Sequence, residues 1–484
     1  MQNNFLFLFL LAMMFTSCAP LAESSTDPQR VALSDCVLSA PGTNDAVDAK
    51  CGTLPVPENP EDPQSRTISL NIAVVPAITR SPEPDPLFIL AGGPGQSITE
   101  AYPLMHDALF RVHEQRDIVL VDQRGTGESN PLRCLDPEEE TLEHEEAIRL
   151  LKECPETLDA DLRYYTTDIA MQDLDRVRSA LGYSSINLYG ASYGTRAALV
   201  YLKMFPERVR SVVLDAVVDP DFVIYQDAGQ DGQQALELFF TRCEADETCV
   251  STFPNLRSEF EVLLQQVSET PVQVTIAHPI TGQPLDLEID RTMFTNIIFN
   301  TLYVPDLVAL LPLTLHQAYA DGNYLPLVTQ AYLVNAGIYD GMFYSVACTE
   351  DAPLISTETS EPPNGDSVFA GNTETLLEVC SAWPQSDPPE VVHAPISSNV
   401  PVLMLSGEAD PITPPHHAER LAESLENELH LIFNEMGHGN SGNLCAAKII
   451  DQFVDQASIN GLQTDCVEGV EPPPFFVDFN GPQP

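Results

Sequence analysis

Three residues in chain order, Ser192, Asp410 and His438, have the types needed to transfer an acyl group through a serine. A hydroxyl is a weak nucleophile until a base removes its proton, so Ser192 needs a histidine. That histidine in turn needs a carboxylate to fix its tautomer and steady its charged form. Ser192 lies in Gly190-Ala191-Ser192-Tyr193-Gly194, where glycines two before and two after the serine suit a turn too tight for side chains. His438 lies in Met436-Gly437-His438-Gly439, a glycine-flanked loop from which an imidazole can project. Asp410 lies in Gly407-Glu408-Ala409-Asp410-Pro411, with Glu408 the competing carboxylate. His416 and His417 open the polar run HHAERLAESL and read as solvated surface, and His393 falls in a linker.

Negative charge developing on a substrate oxygen needs donors already in place. The N–H of Tyr193, which opens a helix after the turn, is expected to be one. The second is expected from Gly92-Gly93-Pro94-Gly95, with Gly93 ahead of Gly92, because the missing side chains let the main chain approach. Asp122-Gln123-Arg124-Gly125 reads as a supporting loop near the site, its Asp and Arg structural.

The elements that must position these residues follow from periodicity. Residues 186–189 are a short apolar run suited to a buried strand. Over 193–205, Ala197, Ala198, Tyr201 and Leu202 recur at helical spacing, and Pro206 stops the helix. Strand-like runs at 67–77, 86–90, 117–121 and 209–214 alternate with helical ones such as 168–181, which predicts an α/β fold with a mostly parallel sheet covered on both faces. From about residue 220 to 393 the pattern is mostly helical, with candidates at 232–243, 256–269 and 292–303 and a hairpin-like piece at 272–277 and 285–289. Strand and helix resume at 400–405, 429–433 and 446–457, and Thr413 with Pro414 and Pro415 reads as a helix N-cap and first turn. The expected organisation is a core in two parts, 36–220 and 396–484, with a cap over 221–395 covering the sheet's functional edge.

The chain of 484 residues, 44% hydrophobic, is long enough for a large core. Its 71 acidic residues against 22 basic ones give a net charge of −49, which argues against nucleic acid and anionic lipid as partners. Residues 5–15 are continuously apolar but too few for a span of about 20 residues, and suit the core of an export signal over 1–18. Thr16-Ser17-Cys18 resembles a bacterial lipoprotein cleavage box with Cys18 lipidated, although Phe15 stands where a Leu-like residue is usual and no Lys or Arg precedes it. Residues 19–35 read as a polar tether. The expected location is outside the cytoplasm, as a periplasmic or anchored bacterial lipoprotein or else secreted, with membrane contact only through that anchor.

Ten further cysteines, an even number, suit disulfides in an oxidising compartment. Sequence does not fix connectivity. Pairing in order closes five local loops: Cys36–Cys51, Cys134–Cys154, Cys243–Cys249, Cys348–Cys380 and Cys445–Cys466. With no C-x-x-C and no cysteine at ligand spacing from a histidine, no metal and no cofactor is expected.

Taken together these blocks resemble the α/β-hydrolase fold. More narrowly they are similar to the proline iminopeptidase-like serine aminopeptidases, in the exported tripeptidyl aminopeptidase branch. The resemblance spans roughly residues 50–480 and is carried by Gly92–Gly95, Asp122–Gly127, Gly190–Thr195, Gly407–Pro414, Met436–Gly439 and the Cys445…Cys466 segment. It implies a helical cap, a narrow site and release of amino acids or di- and tripeptides from free peptide N-termini through an acyl-enzyme on Ser192. Ala91 departs from the histidine that proline iminopeptidases usually carry there. Exopeptidases of this group hold the substrate ammonium with cap carboxylates, and Glu350 and Asp351, in Ser345-Val346-Ala347-Cys348-Thr349-Glu350-Asp351, lie in the matching segment. Two rivals share the fold: a secreted carboxylesterase or lipase, and a non-catalytic binding module, which should have lost one of the three triad residues.

Overall fold

The computed structural model describes residues 30–135, 144–277, 282–331, 337–355, 367–369 and 372–482. The export signal, Cys18 and most of the tether lie outside the described residues.

The chain runs through β1 (Ser34–Ser39), β2 (Ala46–Pro57), β3 (Thr67–Val75), β4 (Leu87–Leu90), β5 (Ile118–Val121), β6 (Ile186–Ala191) and β7 (Val209–Asp215). A separate antiparallel hairpin follows, β8 (Val272–Ala277) with β9 (Pro284–Ile289), and then β10 (Val402–Gly407) and β11 (Glu428–Phe433). Nine strands form one sheet in the order β1-β2-β3-β5-β4-β6-β7-β10-β11. The pairings from β5 through β11 are parallel, and those among β1, β2, β3 and β5 are antiparallel.

The central strands LFIL (β4) and IVLV (β5) are buried at every position, as a parallel sheet covered on both faces requires. Alternate residues serve opposite faces: Phe88 and Leu90 join one apolar cluster, Leu87 and Ile89 the other. The helices Thr167–Leu181 and Tyr193–Met204 cover the first face through Met171, Leu174, Ala198 and Leu202. The helices Ile98–Gln115 and Leu444–Gln456 cover the second through Tyr102, Leu109, Ile449 and Phe453. Gly182, at φ 88°, closes the helix Thr167–Leu181 in the left-handed conformation that a side chain would strain.

Between β7 and β10 the chain is mainly helical and builds its own apolar cluster around Leu236, Phe240, Leu263, Phe294, Ile298 and Leu311. Two boundaries differ from the sequence expectation. The C-terminal stretch leaves the core: Phe475 packs edge-on to Phe239 with ring centroids 6.0 Å apart, and Phe476 N–H donates to Ala309 O at 2.9 Å. Its aromatic residues find apolar partners on the cap that the filled sheet faces no longer offer. The tether also ends earlier than residue 35, since Val31 and Leu33 pack on the core and a Cβ at Gly52 would lie 2.6 Å from Ala32 O.

The ten cysteines are bonded in sequence order, Cys36–Cys51, Cys134–Cys154, Cys243–Cys249, Cys348–Cys380 and Cys445–Cys466, with Cα separations of 5.1 to 5.8 Å. Among the described residues no helix is long and apolar enough to cross a membrane.

Candidate active site

Ser192 follows β6 directly and opens the helix Tyr193–Met204. Its φ of 54° is rare for a residue with a side chain and marks the strained turn from strand to helix. Both glycines of the motif are forced by contact. A Cβ at Gly190 would meet Gly194 O at 2.3 Å, and one at Gly194 would meet Leu90 O at 2.2 Å. Tyr193 N–H, in the first turn of the helix, has no helical acceptor and lies beside the nucleophile. In the facing loop, Gly92 N–H donates to Gln96 Oε1 at 3.2 Å and so already has an acceptor. A Cβ at Gly92 would lie 3.3 Å from Ser192 Cβ, which shows how closely this loop approaches the serine.

Asp410 follows β10 and His438 follows β11, so both reach the carboxyl edge that carries Ser192. His438 Nδ1 lies 2.8 Å from Asp410 Oδ2 and 3.0 Å from Oδ1. Burial alone would lower the imidazole pKa, but the charge and hydrogen bond of Asp410 outweigh it and hold it above the ordinary value. Burial would raise the Asp410 carboxyl, and the histidine's charge and bond bring it below its usual value. Glu408, the competing carboxylate, accepts from Glu435 N–H at 3.0 Å instead.

Thr413 is not the helix cap that its sequence suggests; Pro414 takes that position. Its hydroxyl donates to Asp410 Oδ2 at 2.8 Å and its N–H to Oδ1 at 2.9 Å, so it braces the acid. Asp215, at the end of β7, was invisible to motif reading. Its carbonyl accepts Ser192 N–H at 2.9 Å, while its carboxylate accepts Asn440 and Ser441 N–H, each at 2.8 Å. One buried residue thereby ties the serine turn to the histidine loop. The only signal for it was an acid closing the apolar run 209–214. Tyr303, at the end of a cap helix, sets its ring 4.9 Å from the His438 ring and accepts His438 N–H at 2.9 Å through its carbonyl. The cap therefore helps to seat the base.

Glu350 and Asp351, expected to receive a substrate ammonium, are turned inward, and this corrects the sequence reading. Asp351 grips Arg196 bidentately at 2.9 and 3.0 Å and accepts Ile224 N–H at 3.0 Å. Glu350 accepts Thr167 N–H at 2.6 Å and Thr167 Oγ1 at 2.8 Å, and burial pushes its carboxyl up to about 7. Both are fully buried. A guanidinium on the serine's own helix takes the charge that an ammonium would have met. Gln123 Nε2 donates to Tyr193 Oη at 3.0 Å, and Tyr193 Oη meets Thr167 Oγ1 at 2.8 Å, so Glu350 ends a relay that braces the turn. In the same supporting loop, Arg124 pairs with buried Asp173 at 2.7 Å and Asp122 accepts from Ser97 and Thr99, which are structural roles.

His417 also departs from expectation. It is fully buried between Asp219 and Asp231, not solvated.

Comparisons with known proteins agree with this arrangement. Residues 85–281 match the α/β hydrolase fold family and residues 366–466 the TAP-like protein family. The serine protease Hip1 of Mycobacterium tuberculosis is 27% identical over 479 residues, covering 90% of this chain and 89% of that protein. A tripeptidyl aminopeptidase of Streptomyces coelicolor is 32% identical over 199 residues, 37% of each chain. A proline iminopeptidase of Xylella fastidiosa is 28% identical over 137 residues, 28% of this chain and 34% of that one. These likenesses support a serine peptidase.

Proposed function

We propose, for this α/β-hydrolase with relatives named tripeptidyl aminopeptidase and proline iminopeptidase, that the chain is an exported serine aminopeptidase. It releases amino acids or short peptides from free N-termini. The observation that carries the reading is the bonded Asp410–His438 pair on the same sheet edge as the strained Ser192, under a helical cap. Ser192 Oγ attacks the scissile carbonyl while His438 Nε2 takes its proton. Asp410 steadies the imidazolium, and the N–H groups of Gly93 and Tyr193 receive the oxyanion. The imidazolium then protonates the leaving amine, the acyl group stays on Ser192, and water, deprotonated by the same histidine, releases it. Export is supported by the apolar 5–15 run and by five disulfides, which persist in oxidising compartments.

One observation favours a second reading. With Glu350 and Asp351 spent on internal partners, no named carboxylate receives an ammonium, as suits a carboxylesterase. The test is kcat/KM for one tripeptidyl anilide with a free and with an acetylated N-terminus. The aminopeptidase reading expects the free terminus to be preferred by about tenfold or more. A ratio near one, with short acyl esters the best substrates, establishes the esterase.

A further inference from the structure

A second histidine–carboxylate cluster lies where the cap's first helix meets the core. His416 and His417 stand at the start of the helix Pro415–Ala422, just after the acid loop, and Asp231 lies on the cap helix Ala228–Ala245. His417 Nε2 is 3.1 Å from Asp231 Oδ2, and His416 Nε2 is 3.8 Å from Asp231 Oδ1. One ligand atom from each of the three residues lies within 4.8 Å of the others. Bonds of 2.0–2.1 Å at tetrahedral angles put neighbouring ligand atoms about 3.3 Å apart, close to the His417 Nε2–Asp231 Oδ2 separation of 3.1 Å.

The surroundings of His417 fix how its ring is turned. Its Nδ1 lies 2.8 Å from Asp219 Oδ2 and its Nε2 faces Asp231, both carboxylates buried. Arg420 Nη2, which can only donate, lies 2.8 Å from both Asp219 Oδ2 and His417 Nδ1. A carboxylate at Nδ1 with Nε2 turned to a ligand set is the outer-shell arrangement typical of metal-binding histidines. A cavity of about 370 Å³ lined by Asp227, Gln230, Gln234 and Arg420 adjoins the cluster, with room for the water that would complete a coordination shell.

We propose that Asp231, His416 and His417 bind one divalent cation of the zinc class, with Asp219 orienting His417. Imidazole and carboxylate together suit zinc better than calcium or magnesium. The ion would join the cap's first helix to the helix that follows Asp410, a structural rather than catalytic role.

The test uses the full chain without a polyhistidine tag, stripped with a chelator and titrated with zinc chloride alone. One zinc per chain at micromolar affinity or tighter is expected, with a rise in Tm. His416→Ala, at a half-buried position that tolerates truncation, should weaken binding at least tenfold while Ser192 still labels with a fluorophosphonate. Because Asp231→Asn could unfold the chain, cobalt substitution of the wild type gives a second readout. A visible absorption band of four-coordinate cobalt is expected. No zinc-dependent rise in Tm, no cobalt band, or equal affinity in His416→Ala would overturn the site and leave His417 a buried bridge between Asp219 and Asp231.

Discussion

Two histidines of this molecule, His417 fully buried and His438 partly so, are each set against carboxylates, and the difference between them separates chemistry from structure. His438 bonds to acid through Nδ1 alone, to Asp410. His417 is engaged at both ring nitrogens, by Asp219 at Nδ1 and Asp231 at Nε2. A general base must keep one nitrogen for the nucleophile's proton, and only the His438 arrangement does so. Burial disfavours the charged ring at both, and at both the neighbouring carboxylates reverse the shift and raise the pKa. A raised pKa therefore does not mark the catalytic residue; the unspent nitrogen does.

The largest effect should come from Asp410→Asn. Loss of the tautomer-fixing carboxylate should cut kcat by about 10⁴, as in other triads, with little change in stability. The acid limb of kcat/KM should also move to lower pH, because the charge that raises the His438 pKa is gone. Steady-state rates across pH check both. Asp219→Asn should do the reverse. Breaking a buried charge cluster should cost about 3 kcal/mol in urea unfolding, while turnover per folded molecule stays close to wild type. If Asp219→Asn lost turnover as Asp410→Asn does, the distinction between the clusters would fail.

Asp215→Asn probes the link between the two catalytic loops. Its backbone bond to Ser192 survives, but the acceptor for Asn440 and Ser441 is weakened, so kcat should fall about 10- to 100-fold with KM nearly unchanged. The smallest effect concerns Glu350, whose carboxyl rises from an ordinary 4.5 to about 7 on burial. With the folded value above the unfolded one, its contribution to stability is full below pH 4.5 and is lost as pH rises through about 7. Glu350→Gln cannot ionise, so its Tm should decline less than wild type across that window. Parallel Tm curves for the two proteins would show that Glu350 does not titrate there.

Legibility in the sequence followed the range of the forces involved. Tight turns and buried strands are local: Gly190, Gly194 and the runs LFIL and IVLV each declare themselves within a few residues. The order Ser192, Asp410, His438 was readable because each follows its own strand. Partners brought from afar were not. Asp351 looks like any acid of a strongly acidic chain until Arg196, 155 residues away, is found beside it. His417 reads as surface in a polar run, and it is buried against Asp219 and Asp231, which lie 198 and 186 residues earlier in the chain. Thr413 misled for the opposite reason, since its local signal is a helix cap and Asp410 takes the hydroxyl first.

Covalent labelling tests the central claim, that Ser192 is a nucleophile activated by His438, most directly. The full chain is treated with diisopropyl fluorophosphate and the adduct located by peptide mass mapping. A single adduct on Ser192 is expected in the wild type, absent in Ser192→Ala and formed far more slowly in His438→Ala. Labelling of another serine, or unchanged hydrolysis by a protein that never labels, would contradict the account.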